Sequence, residues 1–237
     1  MPILTIHRGP IENRLLASLP DEAFAHLLPH LQPVSFALGG VVYESSERMD
    51  SLYFPTTCIV SLLYTMTDGA TAEMGLVGND GVVGVALFMG GNTVPNRAVA
   101  QVAGDAFSVP ARVLLEEFRR GGPCQLLLLR YTQALITQIS QTAVCNRLHS
   151  VEQRLCRWLL LTHDRVRSVE LLLTQEFIAN MLGGRRESVT KAARRLQKAG
   201  LIRYVRGHIT ILDRQGLEAA SCECYQVVKT ESDRLLG

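Results

Sequence analysis

The sequence predicts an α+β chain: an N-terminal antiparallel β-roll of double-stranded jelly-roll type, a long helix, and a C-terminal helix-turn-helix with a wing. Three observations predict it. Between Pro33 and Pro110, short apolar runs alternate with Gly, Asp, Asn and Pro, the texture of closely spaced strands. From Cys124 to His163 the chain contains neither Pro nor Gly and carries apolar residues at helical spacing. From Thr174 to Gly207, "TQEFIANMLGGRRESVTKAARRLQKAGLIRYVRG", two short helical patterns flank a Gly-Gly break.

Taken in order, residues 11–31 read as two short amphipathic helices broken at Pro20, with Asp21 and Glu22 suited to a helix start. The runs "GGVVYE", "SLYFP", "IVSLLYTM", "AEMGLVG", "VVGVALFM", "RAVAQVA" and "AFSVPA" supply seven or eight short strands. Asp68-Gly69 between two of them is a hairpin signal. From Arg112 the pattern turns helical, with "GGP" at 121–123 interrupting it. The run beyond exceeds a typical globular helix, so one long helix and a second after a bend near Ser150 are expected. Leu128, Leu129, Leu135, Ile136, Ile139 and Ala143 share one stripe of the first; Val151, Leu155, Trp158 and Leu159 share one of the second. Such stripes either pair with a second copy or pack on their own domain, and spacing leaves both open.

Composition narrows the class. The 237 residues are 47% hydrophobic and 19% charged, enough for two packed domains without long disordered tracts. No stretch reaches the roughly 18 uncharged apolar residues of a membrane span, and "MPILTIHRGPIENRLLASLP" lacks the charged start and apolar run of a secretory signal. Six scattered cysteines then fit reduced cytoplasmic thiols, so a cytoplasmic protein with no membrane partner is expected. No G-x-S-x-G, P-loop or H-E-x-x-H occurs, and nothing asks for catalysis. Gly78, Gly81 and Gly84 read as turn residues. "CEC" at 222–224, with Cys145 and Cys156, lacks the C-x-x-C spacing of common zinc sites, so structural thiols and no metal are expected, a redox or metal switch being the alternative. His149, His163 and His208 have no carboxylate or cysteine pattern beside them that argues for ligation.

Charge is placed unevenly. Arg185 to His208 holds eight Lys/Arg against Glu187 alone, leaving 16 basic and 21 acidic residues elsewhere. A basic patch on an acidic body suits a polyanion. In the helix after the Gly-Gly break, Val189, Ala192, Ala193 and Leu196 make an inner face, while Arg186, Glu187, Thr190, Lys191 and Arg194 project together on the other. In the first helix Thr174 suits the cap, with Phe177, Ile178, Met181 and Leu182 inward. Arg and Lys can read guanine and Glu can accept from cytosine, the chemistry of a DNA major groove. Alternation around Arg206-Gly207 forms a two-stranded wing whose Arg203 and Arg206, with Lys198, suit phosphates. Double-stranded DNA is the expected partner. A protein-docking helix-turn-helix on a ligand-binding signalling module is the rival.

"LTQEFIANMLGGRRESVTKAARRLQKAGLIRYVRGHITILD" resembles the winged helix-turn-helix of the Crp/Fnr family of bacterial transcription regulators. The upstream order resembles the same family: a β-roll sensor like cyclic-nucleotide-binding domains, then a dimer helix, then the DNA-binding domain. The resemblance implies a sensor over 1–115, a connecting dimerisation helix over 116–150 and a DNA-binding domain with a C-terminal tail over 151–237. It places the family's base-reading Arg-Glu pair on Arg186 and Glu187, and its next basic position on Lys191, where cyclic-AMP-binding members usually have Arg. Arg185 stands where those members carry Ser, and a backbone contact is expected of it. A homodimer follows, with Leu128, Leu135, Ile136, Ile139 and Ala143 in its seam and two recognition helices about 34 Å apart on a palindrome. RNA polymerase is a further partner that the resemblance implies.

Cyclic-nucleotide pockets of the family use a Gly-Glu pair and an Arg-Ser/Thr pair. The matching segment here, "DGVVGVALFMGGNTVPNRAVAQV", has Gly84 followed by Val85 and Arg97 followed by Ala98. The carboxylate for the ribose and the hydroxyl beside the arginine are both missing. Control by cyclic AMP in the usual way is therefore not expected; no cofactor is expected, and the roll holds an unknown effector or none.

Overall fold

The computed structural model describes residues 9–166, 170–173 and 175–237; the expected cap at Thr174 and the N-terminal residues 1–8 lie outside the described residues. The chain divides into two compact units, residues 1–60 with 77–130, and residues 61–76 with 131–237.

The first unit opens with α1 (Arg14–Ala17) and α2 (Asp21–Leu27), separated at Pro20 as the sequence predicts. Buried Asn13 fixes the entry: its Oδ1 accepts from the Leu16 N–H at 2.9 Å, capping α1, while its Nδ2 donates to the carbonyls of Pro55 and Gly81 at 2.8 and 2.9 Å. Seven strands follow along the chain: β1 (Gln32–Phe36), β2 (Val41–Tyr43), β3 (Ser51–Pro55), β4 (Ile59–Thr65), β5 (Thr71–Val77), β6 (Arg97–Val102) and β7 (Gly104–Pro110); of these, β4 from Ser61 and β5 as far as Leu76 belong to the second unit. One antiparallel sheet of this unit has the order β1-β7-β3, with Val34 opposite Ala106 and Phe54 opposite Phe107; β2 pairs antiparallel with β6, Val41 opposite Val99. Asp68-Gly69 turns β4 into β5, the Met66 N–H donating to the Ala70 carbonyl at 2.8 Å. Leu52, Phe54, Val82, Ala98, Val109 and Leu114 are core. Pro110 then starts α3 (Ala111–Arg120).

One expected strand is absent. "VVGVALFM" forms a 3-10 turn at Val85–Leu87, and only Val83 bridges to Tyr53. Gly84 is the reason: its φ of +104° reverses the chain in a conformation that extended residues with a Cβ avoid.

The helical run splits where the sequence predicts. α4 (Gly122–Leu148) ends, and α5 (Val151–His163) starts from a capping box in which the Ser150 Oγ accepts from the Gln153 N–H at 3.3 Å and the Gln153 Oε1 accepts from the Ser150 N–H at 3.1 Å. Residues 116–120 complete α3 and do not belong to the long helix. α5 is buried from Arg154 to Thr162 and is the axis of the second unit.

The apolar residues of α4 form two stripes, and the expected seam mixes them. Leu128 and Leu135 are 1% and 5% exposed, so both fill the chain's own interior. In the second unit Leu135 and Ile139 lie against Gly75 of β5, where an added Cβ would stand 3.7 and 3.4 Å from them, and the Gln138 amide pairs with both the N–H and the carbonyl of Leu76 at 3.1 Å. Ile136 is 53% exposed, and Leu126, Leu129 and Ala143 are exposed with it. One residue along a helix is about 100° around it, so adjacent leucines take opposite fates.

Glu73, on β5, is wholly buried in the second unit. Its Oε2 accepts from the Ser61 hydroxyl at 2.6 Å and its Oε1 from the Trp158 Nε1–H at 2.9 Å. Burial raises its carboxyl to about 7, against those hydrogen bonds and the Arg157 and Arg165 charges, which favour the carboxylate. The folded state therefore binds a proton that the unfolded chain has lost. Stability is highest below the unfolded value near 4.5, falls as pH rises from there to about 7, and levels off above it. The total is roughly 3 kcal/mol. Glu73→Gln is expected to flatten that fall, as urea unfolding between pH 5 and 8 will show.

Candidate nucleic-acid interface

The basic segment folds into α6 (Gln175–Met181), α7 (Arg186–Lys198) and a sheet made of β8 (Glu170–Leu172), β9 (Ile202–Val205) and β10 (His208–Ile211). The Gly-Gly break does what it predicts. The Gly184 N–H closes α6 by donating to the Ala179 carbonyl at 2.9 Å, and Arg185, in extended conformation, begins α7. Val189, Ala192, Ala193 and Leu196 are buried against the rest of the unit, so the opposite face must turn outward. Arg185, Arg186, Glu187, Lys191, Arg194 and Lys198 are exposed. Glu187 stands in the first turn of α7, where the helix dipole favours a carboxylate. The structure therefore brings together the residues assigned to base contact.

Thr190 is the exception. Its hydroxyl lies 2.7 Å from Gln175 Oε1 and 2.9 Å from the Arg186 carbonyl, and its single proton is shared between them. It clamps α7 to the start of α6, which positions its neighbours and leaves less of it for a base. Arg195, basic but set off this face, lies 3.4 Å from Glu152.

The wing has three strands where two are expected. β8 pairs with β10, Leu171 opposite Ile209, on the side away from β9, where Tyr204 faces Ile209. Arg206 and Gly207 at the tip have φ of +51° and +86°, the pair of left-handed residues that a two-residue hairpin of type I′ requires. Tyr204 anchors the wing: its N–H donates to Gln197 Oε1 at 2.7 Å and its hydroxyl to the Leu173 carbonyl at 2.8 Å. Arg203, Arg206 and His208 line an open groove of about 370 Å³, all three exposed. Behind the wing, α8 (Arg214–Ala220) and α9 (Glu223–Leu236) close the unit. Arg214 ties them to α5, donating to Asp164 Oδ1 at 2.6 Å and to the Tyr225 hydroxyl at 2.7 Å.

A helix with a small apolar inner face, a basic outer face and an anchored wing is the architecture of a DNA reader. Residues 153–220 match the profile of the Crp-like helix-turn-helix domain, and residues 33–120 that of the cyclic nucleotide-binding domain. The chain belongs to the Crp/Fnr family of transcription regulators. Solved structures share the fold. FixK2 from Bradyrhizobium japonicum superposes with a TM-score of 0.70 at 17% identity, over 81% of this chain and 98% of its own. A Crp/Fnr-family regulator from Eubacterium rectale gives 0.67 at 20%, over 87% and 96%. The c-di-GMP-responsive regulator CLP of Xanthomonas campestris gives 0.66 at 16%, over 82% and 100%. No curated protein matches the sequence. Among the described residues no helix is long and apolar enough to cross a membrane.

For this Crp/Fnr member the residues at the expected effector positions are now placed. Gly84 and Val85 stand at the 3-10 turn, and Ala98 is fully buried in β6. Arg97 does not face the roll as a free cation: its Nη2 lies 3.0 Å from Glu44 Oε1. The expectation about His149 is corrected. Cys224 Sγ lies 3.6 Å from its Nδ1, and Glu223 Oε2 lies 3.3 Å from its Nε2. The legible signal was Cys145-x-x-x-His149, one turn apart on a single helix face. The cysteines of α9 that complete the group are brought in only by the fold.

Proposed function

We propose that this Crp/Fnr regulator acts as a homodimer that reads a palindromic DNA site through α7, and that it does not respond to cyclic AMP in the usual way. The observation carrying the DNA assignment is the exposed Arg185, Arg186, Glu187, Lys191 and Arg194 face over the buried Val189, Ala192, Ala193 and Leu196. Arg186 and Glu187 meet base edges; Arg185, Lys198, Arg203 and Arg206 hold phosphates. Leu126, Leu129, Ile136 and Ala143 supply the seam, since positions 129, 136 and 143 repeat every seven residues on the exposed side of α4. The roll with α3 serves as sensor, α4 as connection and residues 151–237 as DNA-binding domain. Val85 and Ala98 offer neither of the family's polar contacts to a cyclic nucleotide, and the Glu44 carboxylate on Arg97 competes with a phosphate.

The test is selection of bound duplexes from a random pool by the full chain, alone and with cyclic AMP, cyclic GMP or c-di-GMP, the last because the Xanthomonas regulator responds to it. A palindrome enriched without nucleotide is the expected result. Enrichment only with cyclic AMP or cyclic GMP overturns the effector assignment, and no enrichment in any arm favours a protein-docking role.

The phosphate contacts have their own signature. Arg206→Asn keeps a residue tolerant of the left-handed turn while removing the charge. It and Lys198→Ala are each expected to weaken specific and scrambled duplexes by the same factor and to reduce the salt slope by about one. Fluorescence anisotropy over a salt series measures both.

A further inference from the structure

Four metal-ligating side chains from two distant parts of the second unit converge on one buried point. Cys145 and His149 lie one turn apart at the end of α4, the His149 N–H donating to the Cys145 carbonyl at 3.1 Å. Cys222 caps α9 and Cys224 is its second residue. The two sulfurs Cys145 Sγ and Cys222 Sγ are 3.5 Å apart, Cys224 Sγ and His149 Nδ1 are 3.6 Å apart, and all four donor atoms lie within 4.8 Å of one another. All three cysteines are buried free thiols.

We propose that Cys145, Cys222, Cys224 and the Nδ1 of His149 bind one tetrahedral zinc ion per chain. With zinc–sulfur bonds of about 2.3 Å and a zinc–nitrogen bond of about 2.0 Å, tetrahedral donors stand roughly 3.5–3.8 Å apart, which the Cys145–Cys222 and Cys224–His149 separations of 3.5 and 3.6 Å match. A four-iron cluster takes each ligand on a different iron and needs them spread wider. Two further features fit a metal better than an apolar thiol pocket. Glu223 Oε2, 3.3 Å from His149 Nε2, accepts that N–H and so leaves the Nδ1 lone pair aimed at the sulfurs, the arrangement by which outer carboxylates orient ligating histidines. Arg154 and Arg157 are 9% and 5% exposed, and the Nε of each is buried with no hydrogen-bond partner. Buried guanidinium groups call for negative charge. Glu73 meets part of that demand at Arg157, and both arginines act electrostatically on Cys145.

Binding balances as follows. Zinc displaces the three thiol protons to solvent and forms three zinc–sulfur bonds and one zinc–nitrogen bond; the divalent ion with three thiolates carries a net charge of −1, beside the two arginines. The site would fasten the end of α4 to the start of α9, Cys145 and Cys222 being 77 positions apart in the sequence.

The test is metal analysis of the full chain purified in reductant without chelator, followed by removal of the metal and titration with cobalt(II). Expected are about one zinc per chain and, with cobalt, the intense visible bands of a tetrahedral ion together with thiolate charge-transfer absorption. Cys224→Ser and His149→Gln should lose most of the zinc affinity against a competing chelator. Cys58→Ala, in the first unit, should keep it. Glu223→Gln changes an exposed side chain, leaves folding intact and should weaken zinc about 10-fold. Any one of three results overturns the proposal: substoichiometric metal with no cobalt–thiolate spectrum, iron with acid-labile sulfide in place of zinc, or full zinc affinity in both Cys224→Ser and His149→Gln.

Discussion

Arg186→Ala is expected to cost about 1–3 kcal/mol of affinity for the preferred duplex and to relax base choice at one position of each half-site. The side chain stands exposed in the first turn of α7, and alanine is a good helix former there, so the fold survives the change. A bidentate guanidinium–guanine contact carries both affinity and discrimination, whereas a phosphate contact carries affinity alone. Glu187→Ala is expected to act similarly at a neighbouring base, and its loss also removes a favourable charge from the helix start. Competition binding with every single-base variant of the selected site separates the cases. Equal weakening on all variants would make Arg186 a phosphate contact, and an unchanged profile would remove α7 from the base-reading face. Lys198→Ala in the same assay should lower all variants together.

Ile136→Glu is expected to turn the proposed dimer into monomer at concentrations where the parent associates. On the proposed seam Ile136 of one copy faces its equivalent in the other, so the change places two carboxylates together in an apolar interface. Burying such charges unpaired costs several kcal/mol, enough to raise the dissociation constant at least tenfold. Sedimentation equilibrium measures the mass, and the palindrome should lose affinity while a single half-site keeps it. Leu128→Ala is the internal control. Leu128 is 1% exposed in its own chain, so its truncation should lower folding stability by about 2–5 kcal/mol and leave the association constant of the folded protein unchanged. Were Leu128→Ala to dissociate the dimer and Ile136→Glu not to, the seam would lie on the other stripe.

The difference between those two residues marks where sequence stops. The helix-turn-helix is legible because every signal in it is local: Val189, Ala192, Ala193 and Leu196 fix the inner face by spacing, Gly183 and Gly184 break the chain, and Arg206-Gly207 makes the tip of the wing. Ser150 as the start of α5 and Pro20 ahead of α2 are legible for the same reason. The strand expected in "VVGVALFM" fails because composition outweighed one backbone angle, that of Gly84.

By itself, then, the sequence determined the order of roll, long helix and winged reader, and the face that α7 presents. These depend on periods of two and 3.6 residues and on caps, all set within a turn or two of chain. Only the tertiary structure decided which stripe of α4 faces inward, because both are apolar and the surface that receives Leu135 and Ile139, at Gly75 on β5, comes from a distant part of the chain. The tertiary structure alone also tied Arg97 to Glu44, 53 residues away, and joined Cys145 and His149 to Cys222 and Cys224. Such contacts arise from how elements pack, and no local period records them.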